Sequence, residues 1–455
     1  MLQAFIAGIL HGFGFAPFNY VLCAILSIIL FFHTIKKCEN KKQIIVKTLI
    51  FGCTYYIFSL HWIVNSLLID VKRWWFVIPF AITLIPSILS LYYFIVTIPL
   101  LYFRREKYSF IIFSGLWVLA EFLKANLFTG FPWNMIGSIW LDYDFGILLL
   151  QKTNVYFVGF LTIFFSLFIY ESLMRKKFYS TFTLIAILSL PFIFYKYNEV
   201  HHESQNHDLK IRLIQPSIKQ KFTWSHSELE NVFEKLINIS FKKNNSDDFD
   251  LIIWPETAFP FAIDLNDIEN QSHLQYLASF LKEKQLLITG AMRFDENDNY
   301  YNSLIALNSK GEIVDFYDKK HLVPFGEYIP FKDWIRIDSI TNLGSLAFGN
   351  KNKSIIQIQT QKMNIKCLSL ICYEGIFPFE MLNDDIHFAI NLTNDGWFGD
   401  SFGPHQHLRA VRLQALKFKK TVFRVANNGI TAIIDNRGKI VKKIDLNVEG
   451  VLDYK

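Results

Sequence analysis

Residues 1–196 are long apolar runs broken by short basic loops, and no water-soluble core of this size can absorb them. A helix needs about 20 apolar residues to cross a hydrocarbon layer about 30 Å thick. Residues 2–18, 20–35, 46–69, 76–102, 110–128, 148–173 and 179–196 are expected to do so, which makes seven spans. The first, although it starts at Met1, lacks the charged leader and small-x-small cleavage site of a signal peptide. The apolar bias then stops. Of the 455 residues 52% are hydrophobic and 46 are Phe, but from residue 208 onward polarity is ordinary and strand-like runs alternate with helix-like ones. The polar stretch between them suits a linker. The expected organisation is a transmembrane domain over 1–196, a linker over 197–209 and a globular domain over 210–455 that is long enough for a full core.

Lys and Arg in short loops set the orientation of such a chain. With the N-terminus inside, the inner loops hold Lys36, Lys37, Lys41, Lys42, Arg104, Arg105, Lys107, Arg175, Lys176 and Lys177, whereas the outer loops hold only Lys72 and Arg73. The bias places the globular domain outside, which in a bacterium is the periplasmic side of the inner membrane. The net charge of +6 is small for this length, and no basic block interleaved with aromatics points to nucleic acid. Within the spans, Glu121 and Lys124 are costly and share one helix face. They read either as a buried pair, with the lysine able to snorkel, or as functional groups. Phe128-Thr-Gly-Phe-Pro-Trp133 follows them at the expected outer interface, where Trp is favoured.

In the globular half, strands are expected at 211–215, 251–254, 286–290, 301–307, 365–372, 387–393, 421–426 and 431–435, and helices at 226–243, 270–284 and 405–419. Asn308-Ser-Lys-Gly-Glu and Asp435-Asn-Arg-Gly-Lys read as hairpin turns. The alternation indicates a layered α/β fold. Three polar signals fall at strand C-termini, where sites gather in such folds: Glu256, Cys372 and Asn394-Asp395. Of the five cysteines (Cys23, Cys38, Cys53, Cys367, Cys372), the last two point to opposite faces of one extended run and are not expected to pair. There is no Cys-x-x-Cys, and His405 and His407 are badly spaced for one helix face, so neither metal nor cofactor is expected.

A thiol is the nucleophile that needs least activation. Glu256 could take its proton and return it to a leaving group, while Lys319 steadies the oxyanion. Each residue alone has an ordinary reading: a core cysteine, a turn glutamate, a solvated lysine. The three in order, each inside a dense motif, do not.

Trp254-Pro-Glu, Tyr317-x-Lys-x-His-Leu-Val-Pro-Phe-Gly-Glu327 and Ile371-Cys-Tyr-Glu374 resemble the three catalytic motifs of the nitrilase superfamily. Asn394-Asp-Gly-Trp-Phe-Gly, Asn427-Asn-Gly-Ile-Thr-Ala, Gly14-Phe-Ala-Pro-Phe18 and Phe128-Thr-Gly-Phe-Pro-Trp133 are similar to the apolipoprotein N-acyltransferase family in particular, so the resemblance covers nearly the whole chain. It implies an α-β-β-α sandwich on a transmembrane base, with Glu256 as general base, Lys319 as oxyanion lysine and Cys372 as nucleophile. Glu327, Tyr373 and Glu374 match supporting residues, and Trp224 matches a functional tryptophan on a mobile arm. It also implies a ping-pong reaction with a phospholipid acyl donor and a diacylglyceryl apolipoprotein acceptor. Phe331 and Trp334, in Tyr328-Ile-Pro-Phe-Lys-Asp-Trp, together with Trp397 and Phe398, offer aromatic loops that could meet membrane lipid or simply cover the core. The family often carries a last transmembrane helix after the globular domain, and residues 451–455 contain no such span. Two other readings of the chain are a membrane-anchored hydrolase of small amides and a non-catalytic scaffold. Seven spans argue against the first, and an intact Glu256, Lys319 and Cys372 against the second.

Overall fold

The structure, a computed structural model, describes residues 1–103, 106–176, 209–242, 249–266, 272–330, 346–377 and 386–455. The expected seventh span and most of the linker lie outside the described residues. Two compact units are present. One joins the described residues through Lys176 to Ser401–Lys417; the other joins those from Leu209 to Asp400 with Phe418–Lys455.

The first unit is helical. Lys41–Leu68, Ile78–Phe103, Ser109–Asn126 and Val155–Met174 are long and apolar enough to cross a membrane, and Leu2–Phe13 and Val21–Lys36 are shorter apolar helices. The first expected span is therefore cut to 12 residues, about 18 Å of helix, because the chain turns through Gly14 and Pro17 after Phe13. The sixth is also divided. Helix Asp144–Lys152 stops, and Asn154 caps a new helix by accepting the Phe157 N–H at 2.9 Å. The centre is aromatic: Phe31 stacks on Phe51, and His11, Tyr93, Phe113 and Trp117 pack around them edge-on and tilted. Glu121 and Lys124 are both buried and grip the backbone of the following segment. Glu121 accepts the Ile136 N–H at 2.9 Å, and Lys124 donates to the Trp133 carbonyl at 2.8 Å.

Helix Phe402–Phe418 packs almost wholly in this unit. Gln406, 3% exposed, accepts both indole N–H groups of Trp62 (3.1 Å) and Trp133 (2.6 Å) and donates to the carbonyls of Ala16 and Ser59. Arg409 and Arg412 bond Asp142 at 2.7 Å each. Leu416 joins Leu141, Ile147, Leu150 and Val158.

The second unit is built on two sheets. The first contains β1 (Ile211–Gln215), β2 (Leu251–Ile253), β3 (Phe259–Asp264), β4 (Leu286–Phe294), β5 (Tyr300–Leu307), β6 (Ile313–Asp318) and β13 (Gly450–Tyr454). Its order is β13-β1-β2-β4-β5-β6, with β3 beside β4. The second contains β7 (Ile355–Gln359), β8 (Asn364–Ile371), β9 (Phe388–Thr393), β10 (Val422–Ala426), β11 (Thr431–Ile434) and β12 (Ile440–Ile444), ordered β12-β11-β10-β9-β8-β7. Alternate residues face the gap between them, so Ile211, Leu213, Ile253 and Ile288 meet Ile358, Ile365, Ile390 and Phe423. Helices His226–Ile237 and Ser272–Ala278 cover the other face of the first sheet through Phe233, Leu236, Leu274 and Leu277. Ser225 starts the former with a full capping box to Glu228. The expected hairpin turns join β5 to β6 and β11 to β12. β3, β7 and β13 were not anticipated, since all three are short and only partly buried.

Candidate active site

β8 runs parallel to β9, with the edge strand β7 on its other side, and its last residue is followed by Cys372. Cys372 takes φ +48°, a left-handed conformation costly for any residue with a Cβ. The turn that forces it is held by Glu374. This buried carboxylate accepts the N–H groups of Ile371 (2.8 Å), Lys320 (2.7 Å) and His321 (3.1 Å) and the Tyr317 hydroxyl (2.8 Å). Burial pushes the Glu374 carboxyl up, against the pull of these donors. Its part is therefore to fix the turn at Cys372. Tyr373, half-buried, packs on Phe377 and His321, and burial raises its hydroxyl above the ordinary range.

Glu256 leaves β2 in a tight turn against β4. A Cβ on Gly290 would lie 2.4 Å from the Thr257 nitrogen and 2.6 Å from the Glu256 Cα, so only glycine permits the approach. One Glu256 oxygen accepts Asn302 Nδ2 at 2.8 Å and the other the Asn394 N–H at 2.7 Å. Lys319 follows β6. Its Nζ, 1% exposed, lies 2.8 Å from Glu327 and 3.5 Å from Glu256. Burial alone would pull Lys319 down, but the carboxylates of Glu327 and Glu256 raise it above the ordinary lysine value, so it stays an ammonium. Lys320 instead turns out to the Ser354 hydroxyl and the Lys351 carbonyl. Glu327 also accepts Asn302 at 3.0 Å and the Val323 N–H at 2.7 Å.

Cys372 is 7% exposed, within electrostatic reach of Glu256, Lys319 and Asp395, and in hydrogen-bond contact with Thr393. Burial raises the thiol above its ordinary value, Glu256 adds to this and Lys319 opposes it. The resting sulfur is thus neutral. Moving its proton to Glu256 keeps the charge of the cluster constant, whereas losing it to solvent would leave two carboxylates and a thiolate facing one ammonium.

The structure brings Glu256, Lys319, Glu327, Tyr373, Glu374 and Cys372 together. Trp224 takes no part in the hydrogen bonds of this network. It lines a separate shallow groove of about 300 Å³ with Lys221, Glu228 and Lys235. That segment is tied in by Gln220, which accepts Asn394 Nδ2 at 2.8 Å, and by Ile218, which exchanges two bonds with Asn427. Trp397 packs on Phe222 at 5.4 Å and, like Phe398, is half-buried. Phe331 and Trp334 lie outside the described residues. Sequence reasoning missed Asn302, Thr393 and Arg424. Their common signal was a polar residue inside a strand that otherwise reads as apolar.

Comparison with known proteins agrees over both units. Residues 7–168 match the model of the apolipoprotein N-acyltransferase N-terminal domain, and residues 210–455 that of the carbon-nitrogen hydrolases. An apolipoprotein N-acyltransferase of Rickettsia bellii is 32% identical over 465 residues, covering 99% of this chain and 90% of that protein. One from Allorhizobium ampelinum is 32% identical over 415 residues, covering 88% and 78%. Among solved structures, a CN-hydrolase superfamily protein of Xanthomonas campestris aligns with TM-score 0.40 and 20% identity, covering 55% of this chain and 90% of that one.

Proposed function

The chain belongs to the apolipoprotein N-acyltransferase family, and on that premise we propose that it passes a fatty acyl chain from a phospholipid, through a thioester on Cys372, to the amine of a diacylglyceryl apolipoprotein. Members of the family are acyltransferases of lipoprotein maturation. The reading of the site is carried by one observation: a buried ammonium held between two carboxylates, with a neutral thiol in electrostatic reach of it and of one of them.

In the first half-reaction Glu256 accepts the Cys372 proton as the sulfur attacks the sn-1 ester carbonyl. Lys319 and the Tyr373 N–H stabilise the tetrahedral oxyanion. Its collapse breaks the ester C–O bond, and Glu256 returns the proton to the departing lysophospholipid. In the second, the lipoprotein amine attacks the thioester, Glu256 takes the ammonium proton, and the thiol is regenerated. Glu327 keeps Lys319 charged and oriented throughout. Phe331, Trp334, Trp397 and Phe398 contact the acyl chain, and Trp224 contacts substrate. Both substrates are lipids of the outer leaflet, which fits a catalytic unit on the periplasmic side of the inner membrane.

The test is intact-mass and peptide mass spectrometry of the detergent-solubilised protein incubated with phosphatidylethanolamine. A hydroxylamine-labile adduct of one acyl chain is expected on Cys372, discharged by a diacylglyceryl lipopeptide. An acyl group on another residue, or lipopeptide acylation that survives Cys372→Ala, refutes the proposal.

A further inference from the structure

Behind the nucleophile lies an ion pair that the reaction just described does not use. Asp395 Oδ2 and Arg424 Nη2 are 2.6 Å apart, and both side chains are 0% exposed. Arg424 also donates to Asn391 Oδ1 at 2.6 Å and to the Ile430 carbonyl at 3.2 Å. A Cβ on Gly429 would fall 2.3 Å from Asp395 Oδ2, so the backbone closes over this carboxylate. A fully buried pair of this kind is a poor source of stability, since apolar residues of similar volume commonly do as well. Its neighbour shows what it acts on. Asp395 Oδ1 accepts the Thr393 hydroxyl at 3.0 Å, and Thr393 is wholly buried. The β8–β9 register pairs Ile371 with Leu392, so the next residues, Cys372 and Thr393, lie side by side, and the Thr393 hydroxyl meets the sulfur.

A hydroxyl has one hydrogen. Given to the Asp395 carboxylate in a charge-assisted bond, it leaves only lone pairs for the sulfur, which then has to be a thiol to bond them. We propose that Asp395, clamped by Arg424, commits the Thr393 hydrogen and so holds Cys372 as a resting thiol, making Thr393 and Asp395 positioning residues for the nucleophile. This rests on Cys372 being the nucleophile. When Glu256 takes the thiol proton, the hydroxyl rotates, its hydrogen turns from Asp395 to the thiolate, and Arg424 keeps Asp395 compensated. No other bond changes. The charged groups that face the sulfur are Glu256 from the turn after β2, Lys319 from the end of β6 and Asp395 from the end of β9.

The experiment follows exchange of Cys372 with an uncharged aromatic disulfide across pH 6–10, in the full-length protein in detergent, read on the Cys372 peptide by mass spectrometry. Asp395→Asn removes a negative charge, and its amide can donate to the hydroxyl oxygen, freeing the hydrogen for the sulfur. Its pH–rate profile is expected to move acidward by about one unit. That makes exchange about threefold faster at a given pH, because tenfold more thiolate is offset by weaker nucleophilicity. Thr393→Val is expected to slow exchange more in the Asp395→Asn background, where the hydrogen is free for the sulfur, than in the parent; Thr393→Ser should behave as the parent. Should Asp395→Asn fail to accumulate, Asp395→Asn with Arg424→Gln leaves no lone buried ion and carries the same expectation. An unmoved profile with only a lower melting temperature, or equal slowing by Thr393→Val in both backgrounds, overturns the proposal. The exchange needs no acyl donor, so it stays readable even if the acyl-enzyme assay fails.

Discussion

At the scale of single residues, the site is a set of shifted protonation states, and these affect stability. Cys372 and Cys367 both keep their protons above the ordinary thiol value of 9.0, chiefly because they are buried. Between that value and the folded one the native chain holds protons that the unfolded chain has lost. Stability therefore falls as pH rises, by about 1.4 kcal/mol per pH unit for each such thiol. Lys319, also raised, adds to the fall only above its ordinary value of 10.5. Cys372→Ala is expected to flatten part of the decline in melting temperature between pH 9 and 10.5, and a slope equal to the parent's would show that the thiol titrates normally. Much of the residue-scale site was legible beforehand, because Glu256 and Cys372 sit where apolar runs stop. Choosing Lys319 over Lys320 rested on the motif, and the structure supplies the physical reason: one ammonium is buried among carboxylates and the other turns to Ser354. Asn302, Thr393 and Arg424 were not legible as a site, because what they touch depends on strand register.

The elements around Cys372 work as a clamp on one unfavourable φ. Glu374 receives four donors from Ile371, Tyr317, Lys320 and His321. Glu374→Gln replaces an acceptor oxygen with an NH₂ that faces donors and leaves at least one buried N–H unbonded, a cost of about 1–3 kcal/mol. Acyl-enzyme formation is expected to fall at least tenfold because the turn at Cys372 relaxes, while Glu374→Asp recovers part of the rate. Normal kinetics in Glu374→Gln would mean that the turn holds without it. Strand periods announced most of the framework. The breaks at Phe13 and Asn154 were harder to see, since a turn through Gly14 and Pro17 and an Asn cap sit inside runs whose mean apolarity never drops.

At the scale of the molecule, helix Phe402–Phe418 leaves β9, packs in the helical unit and returns to β10. A single cut between 197 and 209, which polarity alone suggests, would separate it from Trp62, Trp133 and Asp142. A fragment starting at Leu209 would expose Gln406, Arg409 and Leu416, and it is expected to aggregate or to lose this helix by circular dichroism. The same fragment with Leu413 and Leu416 changed to Gln should be more soluble, and equal solubility of the two would refute this account. Polarity could not have revealed the excursion, because a helix built to bury Gln406 and Arg409 looks like an ordinary amphipathic one.

The bidentate bond between Arg212 and Asp453 joins residues 241 apart at the edge of the sheet that carries Glu256. Folding of that sheet is thus dominated by non-local pairing, which is slow because loop closure must be paid before contacts reward it. During synthesis the strands carrying Glu256 and Cys372 both emerge before β13 exists, so the nascent catalytic unit has a bare β1 edge and an unfinished core. Assembly order, as much as final geometry, decides when this thiol is first sheltered.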